Sequence, residues 1–159
     1  MKKETIRARM RELAQALEYE YKCLKHLARA MYCQKEGEKN YANDAQATLG
    51  DTVLKLILAE HLFRAGLDKD EISRRKALLE KNATLKRIND SAGLYPYAYN
   101  DLFFASEAPK NQRLPYSAHD IYLEAIIGAI YLDRGLQYTR QWVLKFWQKH
   151  VPDLMDAAF

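Results

Sequence analysis

The stretch Glu124-Ala-Ile-Ile-Gly-Ala-Ile-Tyr-Leu-Asp133 constrains this chain more than any other. Ala125–Leu132 is the longest uninterrupted apolar run. A membrane-spanning helix needs about 20 such residues, so this run belongs inside a protein core. It predicts a strongly apolar helix over 118–133, closed by Arg134-Gly135. Yet the run is headed by a carboxylate, Glu124, and interrupted by Gly128. A glycine inside a helix costs about 1 kcal/mol relative to alanine. Its presence there needs a packing reason.

The same pairing recurs in Leu49-Gly50-Asp51-Thr52-Val53-Leu54. Glycine and aspartate are both poor mid-helix residues. Together they suggest close backbone packing beside a wanted carboxylate, although a solvent-facing aspartate at a helix start would read the same way. Asp44 lies seven residues before Asp51, and Asp120 four before Glu124, so each helix presents two carboxylates on one face. If those faces meet, oxygen ligands cluster. Such clusters suit Mg²⁺, which keeps several of its waters and activates water for attack on a phosphoryl group.

Around these segments the chain reads as one all-α domain over 1–159. Helical spacing places Ile6, Met10, Leu13 and Leu17 on one stripe, continued by Leu24, Leu27 and Met31. A buried helix is expected over 41–64, with Leu49, Val53, Leu56, Ile57 and Leu62 inward. Gly66 stops it, and Asp70 can cap a helix over 71–82. A short helix over 83–92 ends at Gly93. Residues 95–117, with three Pro, four Tyr and two Phe, form an ordered loop, and a last amphipathic helix over 137–149 carries Trp142 and Trp147 as packing residues. No strand pattern or repeat is present.

Net charge is +4, compatible with a polyanionic partner without requiring one. Six cations (Arg74, Arg75, Lys76, Lys81, Lys86 and Arg87) against the single acid Glu80 give residues 74–87 a local net of +5. This is either a solvated helix face or a phosphate-contacting surface. Cys23 and Cys33 fit no short zinc spacing and read as reduced thiols. The charged start Met1-Lys-Lys-Glu-Thr-Ile-Arg7 lacks the apolar stretch of a secretory signal. A cytoplasmic protein that crosses no membrane is expected.

Four blocks resemble the ribonuclease III family. Leu49–Leu54 looks like its signature, and Glu124–Asp133 like its second acidic block. Leu17-Glu-Tyr-Glu-Tyr-Lys22 is similar to its N-terminal turn, and Asn82–Ile88 with Gly93-Leu94 to the stretch between the acids. The blocks follow the family's order. The resemblance implies an all-helical endonuclease domain, dimeric, hydrolysing double-stranded or structured RNA with Mg²⁺ or Mn²⁺. Asp51 and Glu124 match the two most essential acids, and Asp44 stands where the family often has Glu. Asp51, Glu124, Asp44 and Asp120 are the candidate metal ligands. Arg74, Arg75, Lys76, Lys81, Asn82, Lys86 and Arg87 are the candidate RNA contacts.

The chain departs from the family at Ala47 and Ile121, where two further acids are usual, and at Thr48, where an aromatic is usual. Asp120 is one residue off register, about 100° around the helix. The minimal Mini-III branch shares the reduced acid pattern and lacks a double-stranded-RNA-binding domain. Only 26 residues follow Asp133 here, too few for such a domain. A minimal homodimeric endoribonuclease is therefore expected. A non-cleaving relative, serving as an RNA-binding or ribosome-associated dimerisation scaffold, is the alternative, and an unrelated helical interaction module is the third reading.

Overall fold

The computed structural model describes residues 3–34, 37, 40–108 and 121–156. Its helices are α1 (Lys3–Ala16), α2 (Lys25–Met31), α3 (Asp44–Arg64), α4 (Lys69–Glu80), α5 (Asn82–Ala92), α6 (Ile121–His150) and α7 (Pro152–Asp156). Among the described residues the only extended pairing is two isolated bridges, Tyr32 with Tyr99 and Tyr99 with Phe104. The fold is all-α.

The apolar run governs the architecture. Leu123, Ala125, Ile126, Ile127, Ala129 and Ile130 are all fully buried, and α6 packs most extensively on α3 and then on α2. A helix so apolar needs cover on several sides. Ala47, Val53, Leu54, Ile57 and Leu58 of α3 and Leu27, Ala30 and Met31 of α2 supply it. Leu56 differs from expectation, because at 52% exposure it lies outside the core. It shares an outer stripe of α3 with the exposed Thr48, Thr52 and Phe63.

Several boundaries shift. Asp68, not Asp70, caps α4, its side chain accepting from the Glu71 N–H at 2.9 Å. The reason is position: a cap sits just outside the first turn in extended backbone, as Asp68 does, while Asp70 is already helical. The helical path of α6 breaks at Gly135 (φ 84°, ψ 176°), where the sequence placed a boundary, and then resumes to His150. Residues 95–108 form two 3₁₀ turns stitched to the end of α2 by Cys33 N–H to Tyr99 O and Tyr99 N–H to Met31 O, both 2.9 Å. The tryptophans pack as expected. The indole N–H of Trp142 donates to Leu17 O at 2.9 Å and that of Trp147 to Leu79 O at 3.0 Å.

The N-terminal turn and the end of the acidic block meet at one side chain. Asp133 accepts from the Tyr19 hydroxyl, the Lys22 N–H at 2.8 Å and the Cys23 N–H at 3.0 Å. Beside it Arg134 donates to Glu20 O and lies over the Tyr138 ring, 4.1 Å from its centroid. Burial alone would raise the Asp133 carboxyl, but the Tyr19 hydroxyl and the two N–H groups outweigh it and hold the group below its ordinary value. Burial and the same Asp133 contact push the Tyr19 phenol well above its ordinary range.

Replacing Asp133 with Asn should cost about 2 kcal/mol, since charge-assisted hydrogen bonds are lost and one N–H is left facing an amide. The depressed carboxyl also sets a sign. Its contribution is complete above the unfolded value near 3.8 and is lost as pH falls through the lower folded value. Urea unfolding between pH 7 and 3 should show wild type and Asp133→Asn converging at the acid end. Parallel curves throughout would refute this role.

Candidate active site

The two sequence-flagged glycines face each other's helix. A Cβ on Gly50 would lie 1.7 Å from the Glu124 carbonyl oxygen and 2.8 Å from the Gly128 nitrogen. A Cβ on Gly128 would lie 2.4 Å from the Gln46 carbonyl oxygen. The backbones of α3 and α6 therefore touch where each carries glycine, which only a missing Cβ permits. Gln46 ties the crossing down, its side-chain N–H₂ donating to His26 O at 2.9 Å and Ala125 O at 3.0 Å. The contact explains both glycines and brings Asp51, next to Gly50, alongside the backbone of Glu124.

Asp51 is paired with a cation of its own helix. Lys55 Nζ donates to Asp51 Oδ2 at 2.8 Å. That hydrogen bond and the charge of Asp51 raise the ammonium above its ordinary value. Slight burial opposes them, and Glu80 and Glu124 add to the rise.

Glu80 is the acid that the sequence reading passed over. It ends α4, where a negative charge is disfavoured by the helix dipole; that misplacement was the available signal. One of its oxygens accepts from Lys76 at 2.9 Å. The other is buried and without a hydrogen-bond partner.

The remaining candidates separate. Asp44 accepts from the Tyr41 N–H at 2.8 Å, which closes the turn into α3, and it stands about 10 Å along the helix axis from Asp51. Asp120 lies outside the described residues. Ala47 is buried at 4% exposure within the core. A glutamate there would be taken out of water, so the missing acid is built into the packing.

The basic stretch is paired. Arg74 and Arg75 both reach Glu71, at 2.9 and 2.8 Å, and Lys76 reaches Glu80. Lys86 reaches Asp90 at 2.6 Å, and Arg87 holds both oxygens of Asp153 at 2.9 and 2.7 Å. Three of those acids lie outside the window 74–87, so the local +5 shrinks once the neighbours in space are included. Lys81 and Asn82 are exposed at the α4–α5 junction. The exposed pairs, Arg74 with Glu71, Lys86 with Asp90 and Arg87 with Asp153, are worth little each and can exchange a carboxylate for a phosphate.

Carboxylate oxygens are the right donors for a hard divalent ion, and Asp51 presents one, 32% exposed by its side chain, next to the α3–α6 crossing. Among the described residues no three acidic, His or Cys side chains are grouped closely enough to hold one together. A hydrated ion held by few protein oxygens is the form that matches.

A model of the ribonuclease III domain family matches residues 44–135. The chain belongs to the ribonuclease III domain family. It is similar to a solved nuclease domain of ribonuclease III from Campylobacter jejuni, with a TM-score of 0.73 and 30% identity, covering 90% of this chain and 99% of that one. Among curated relatives, ribonuclease 3 of Campylobacter jejuni strain RM1221 is 33% identical over 147 residues, covering 90% of this chain and 63% of its own length. Ribonuclease 3 of Francisella tularensis is 33% identical over 134 residues, covering 83% and 55%. The chain thus spans less than two thirds of the length of these relatives.

The glycine contact makes a direct test. Alanine is intrinsically better in a helix by about 1 kcal/mol. Gly128→Ala should nevertheless lose about 2 kcal/mol in chemical denaturation, because its new methyl meets backbone that cannot rotate away. A gain in stability would show that α3 and α6 can move apart freely.

Proposed function

We propose that this chain is an endoribonuclease that hydrolyses phosphodiester bonds in double-stranded or structured RNA with Mg²⁺. The observation that carries this reading is the α3–α6 crossing, which sets Asp51 beside the Glu124 backbone. Asp51 and Glu124 would hold the ion, with Asp44 and Asp120 as further candidates. When bound, Mg²⁺ supplies an activated water and offsets charge on the phosphoryl oxygens; Mn²⁺ can substitute for it. Asp51 and Glu124 orient that chemistry from two helices whose separation is fixed by Gly50 and Gly128. Arg74, Arg75, Lys76, Lys81, Asn82, Lys86 and Arg87 would contact phosphates, a recognition by shape and backbone that needs no base-reading motif.

The assembly we propose is a homodimer through the outer stripe of α3. Leu56 at 52% and Phe63 at 72% exposure are large apolar side chains presented to solvent there, and exposed apolar surface of this kind marks an interface. The Campylobacter neighbour is described as having a region involved in dimer formation. We also assign the protein to the cytoplasm, where the free thiols Cys23 and Cys33 are stable.

Incubation with long duplex RNA and Mg²⁺ tests the reading. Wild type should cut, and Asp51→Asn should lose at least about 100-fold in rate, as expected when a group that holds the metal is removed. Binding without cutting, in Mg²⁺ and in Mn²⁺, would assign the chain to the non-cleaving scaffold instead. The Lys55 pair at Asp51 is the observation favouring that second reading.

Two further outcomes are expected. Replacing Arg74, Arg75 and Lys76 together with Ala should weaken duplex binding and flatten its salt dependence, because fewer counterions are released. An unchanged slope would make them an ordinary solvated face. Leu56→Asp should convert the dimer to a monomer in sedimentation at micromolar concentration, and an unchanged dimer would move the interface elsewhere.

A further inference from the structure

The first two helices leave a hollow between them that the RNA chemistry does not use. It is a cavity of about 570 Å³, lined from α1, from α2 and the turn before it, and from Tyr99 and Asp101. Clefts of about 300–1,000 Å³ with an apolar lining and a few placed polar groups are the usual form of a ligand site. Both helices bring the same pattern to this one. Ile6 and Met10, and Leu24 and Ala28, are apolar residues four apart; Lys3 and Arg7, and Lys25 and Arg29, are cations four apart. Residues so spaced share a helix face. Burial is graded to match. Met10 and Tyr99 are buried, Ile6, Leu24, Ala28 and Tyr32 are half-buried, and the four cations are exposed. The hollow therefore has an apolar floor and a basic rim. Among the described lining residues the one acid, Asp101, accepts from the Tyr32 hydroxyl at 2.8 Å.

We propose that this hollow binds a single-chain anionic amphiphile, an aliphatic chain ending in a carboxylate. The chain lies on Ile6, Met10, Leu24 and Ala28, and the carboxylate meets the rim cations. Other occupants match less of the lining. Duplex RNA would meet the cations, but its phosphates and sugars have no use for an apolar floor. An extended peptide brings an N–H and a C=O per residue, each needing a partner. The floor is poor in them, since the Tyr32 hydroxyl is given to Asp101 and that of Tyr99 to Ala28 O at 3.0 Å. A helix satisfies its own backbone, but it is about 10–12 Å wide, whereas Lys3 to Met10 gives a shoulder only about 10 Å long. An aliphatic chain carries no polar group until its head, which is the distribution the lining presents. None of these residues is among the candidate ion or RNA ligands, so the site stands apart from the reading of Asp51 and Glu124.

Cys23 supplies a reporter, because it lines the hollow and is exposed whereas Cys33 is buried. Isothermal titration of the whole chain with sodium decanoate, without RNA or metal, tests the site. Decanoate should bind and should slow the reaction of Cys23 with iodoacetamide. Each CH₂ removed should weaken binding about fourfold, as read with octanoate and hexanoate. Decyltrimethylammonium, the same chain with the opposite charge, should bind weakly. Arg7→Gln with Lys25→Gln should lose at least about tenfold in decanoate affinity, as expected for removing two neighbouring charges, with an unchanged thermal melt. No decanoate binding would overturn the proposal. So would equal affinity for octanoate and decanoate, which would reduce it to surface charge, or equal affinity for the ammonium, which would reduce it to unselective apolar contact. Binding that leaves Cys23 unprotected would put the ligand elsewhere and overturn the site. Loss of duplex RNA binding in the double variant, with decanoate binding unchanged, would make the rim an RNA surface instead.

Discussion

Two helices with ordinary side chains pack with axes about 8–10 Å apart. At the crossing of α3 and α6 that spacing is unavailable, because Gly50 and Gly128 let backbone meet backbone. The closeness decides much else. It sinks the apolar run of α6 against Ala47, Val53 and Leu54. It leaves Asp51, about 100° around the helix from Gly50, at the edge of the contact rather than inside it, still 32% exposed by its side chain. A carboxylate in that position is oriented by the core yet reachable from solvent, which is what an ion-binding acid requires.

The parts of the fold that could be read in the sequence were those with a local cost. Glycine in a helix and a carboxylate heading an apolar run are each unfavourable alone, so Gly50-Asp51 and Glu124 through Gly128 announced themselves. The ends at Gly66 and Gly93 were equally plain, since each sits at positive φ, at 83° and 65°. Features that depend on partners distant in sequence were not readable. Asp133 looked like the tail of a motif, and nothing nearby in the chain said that Tyr19, Lys22 and Cys23 would close on it. Leu56 fell into the helical apolar pattern, but the pattern's width could not say which edge would face outward.

Charge was the least readable quantity. Counting along 74–87 isolates six cations, whereas folding returns Glu71, Asp90 and Asp153 to their sides. Glu80 was lost in that same count as a minor offset. Its meaning comes from α4 ending beside α3 and from a buried oxygen without a partner, neither of which has a trace in composition.

The meeting of Asp133 with the turn before α2 bears on where a self-sufficient fragment can be cut. The family match covers 44–135, which includes both principal acids and the glycine crossing. It omits Tyr19, whose hydroxyl donates to Asp133, and both members of the Trp142–Leu17 hydrogen bond. It also omits α2, which covers a flank of α6. A polypeptide trimmed to the matched span would keep the chemistry's residues yet bare the apolar side of the central helix to water. The similarity to the solved nuclease domain, which covers 90% of this chain, follows the packing unit rather than the shorter matched span.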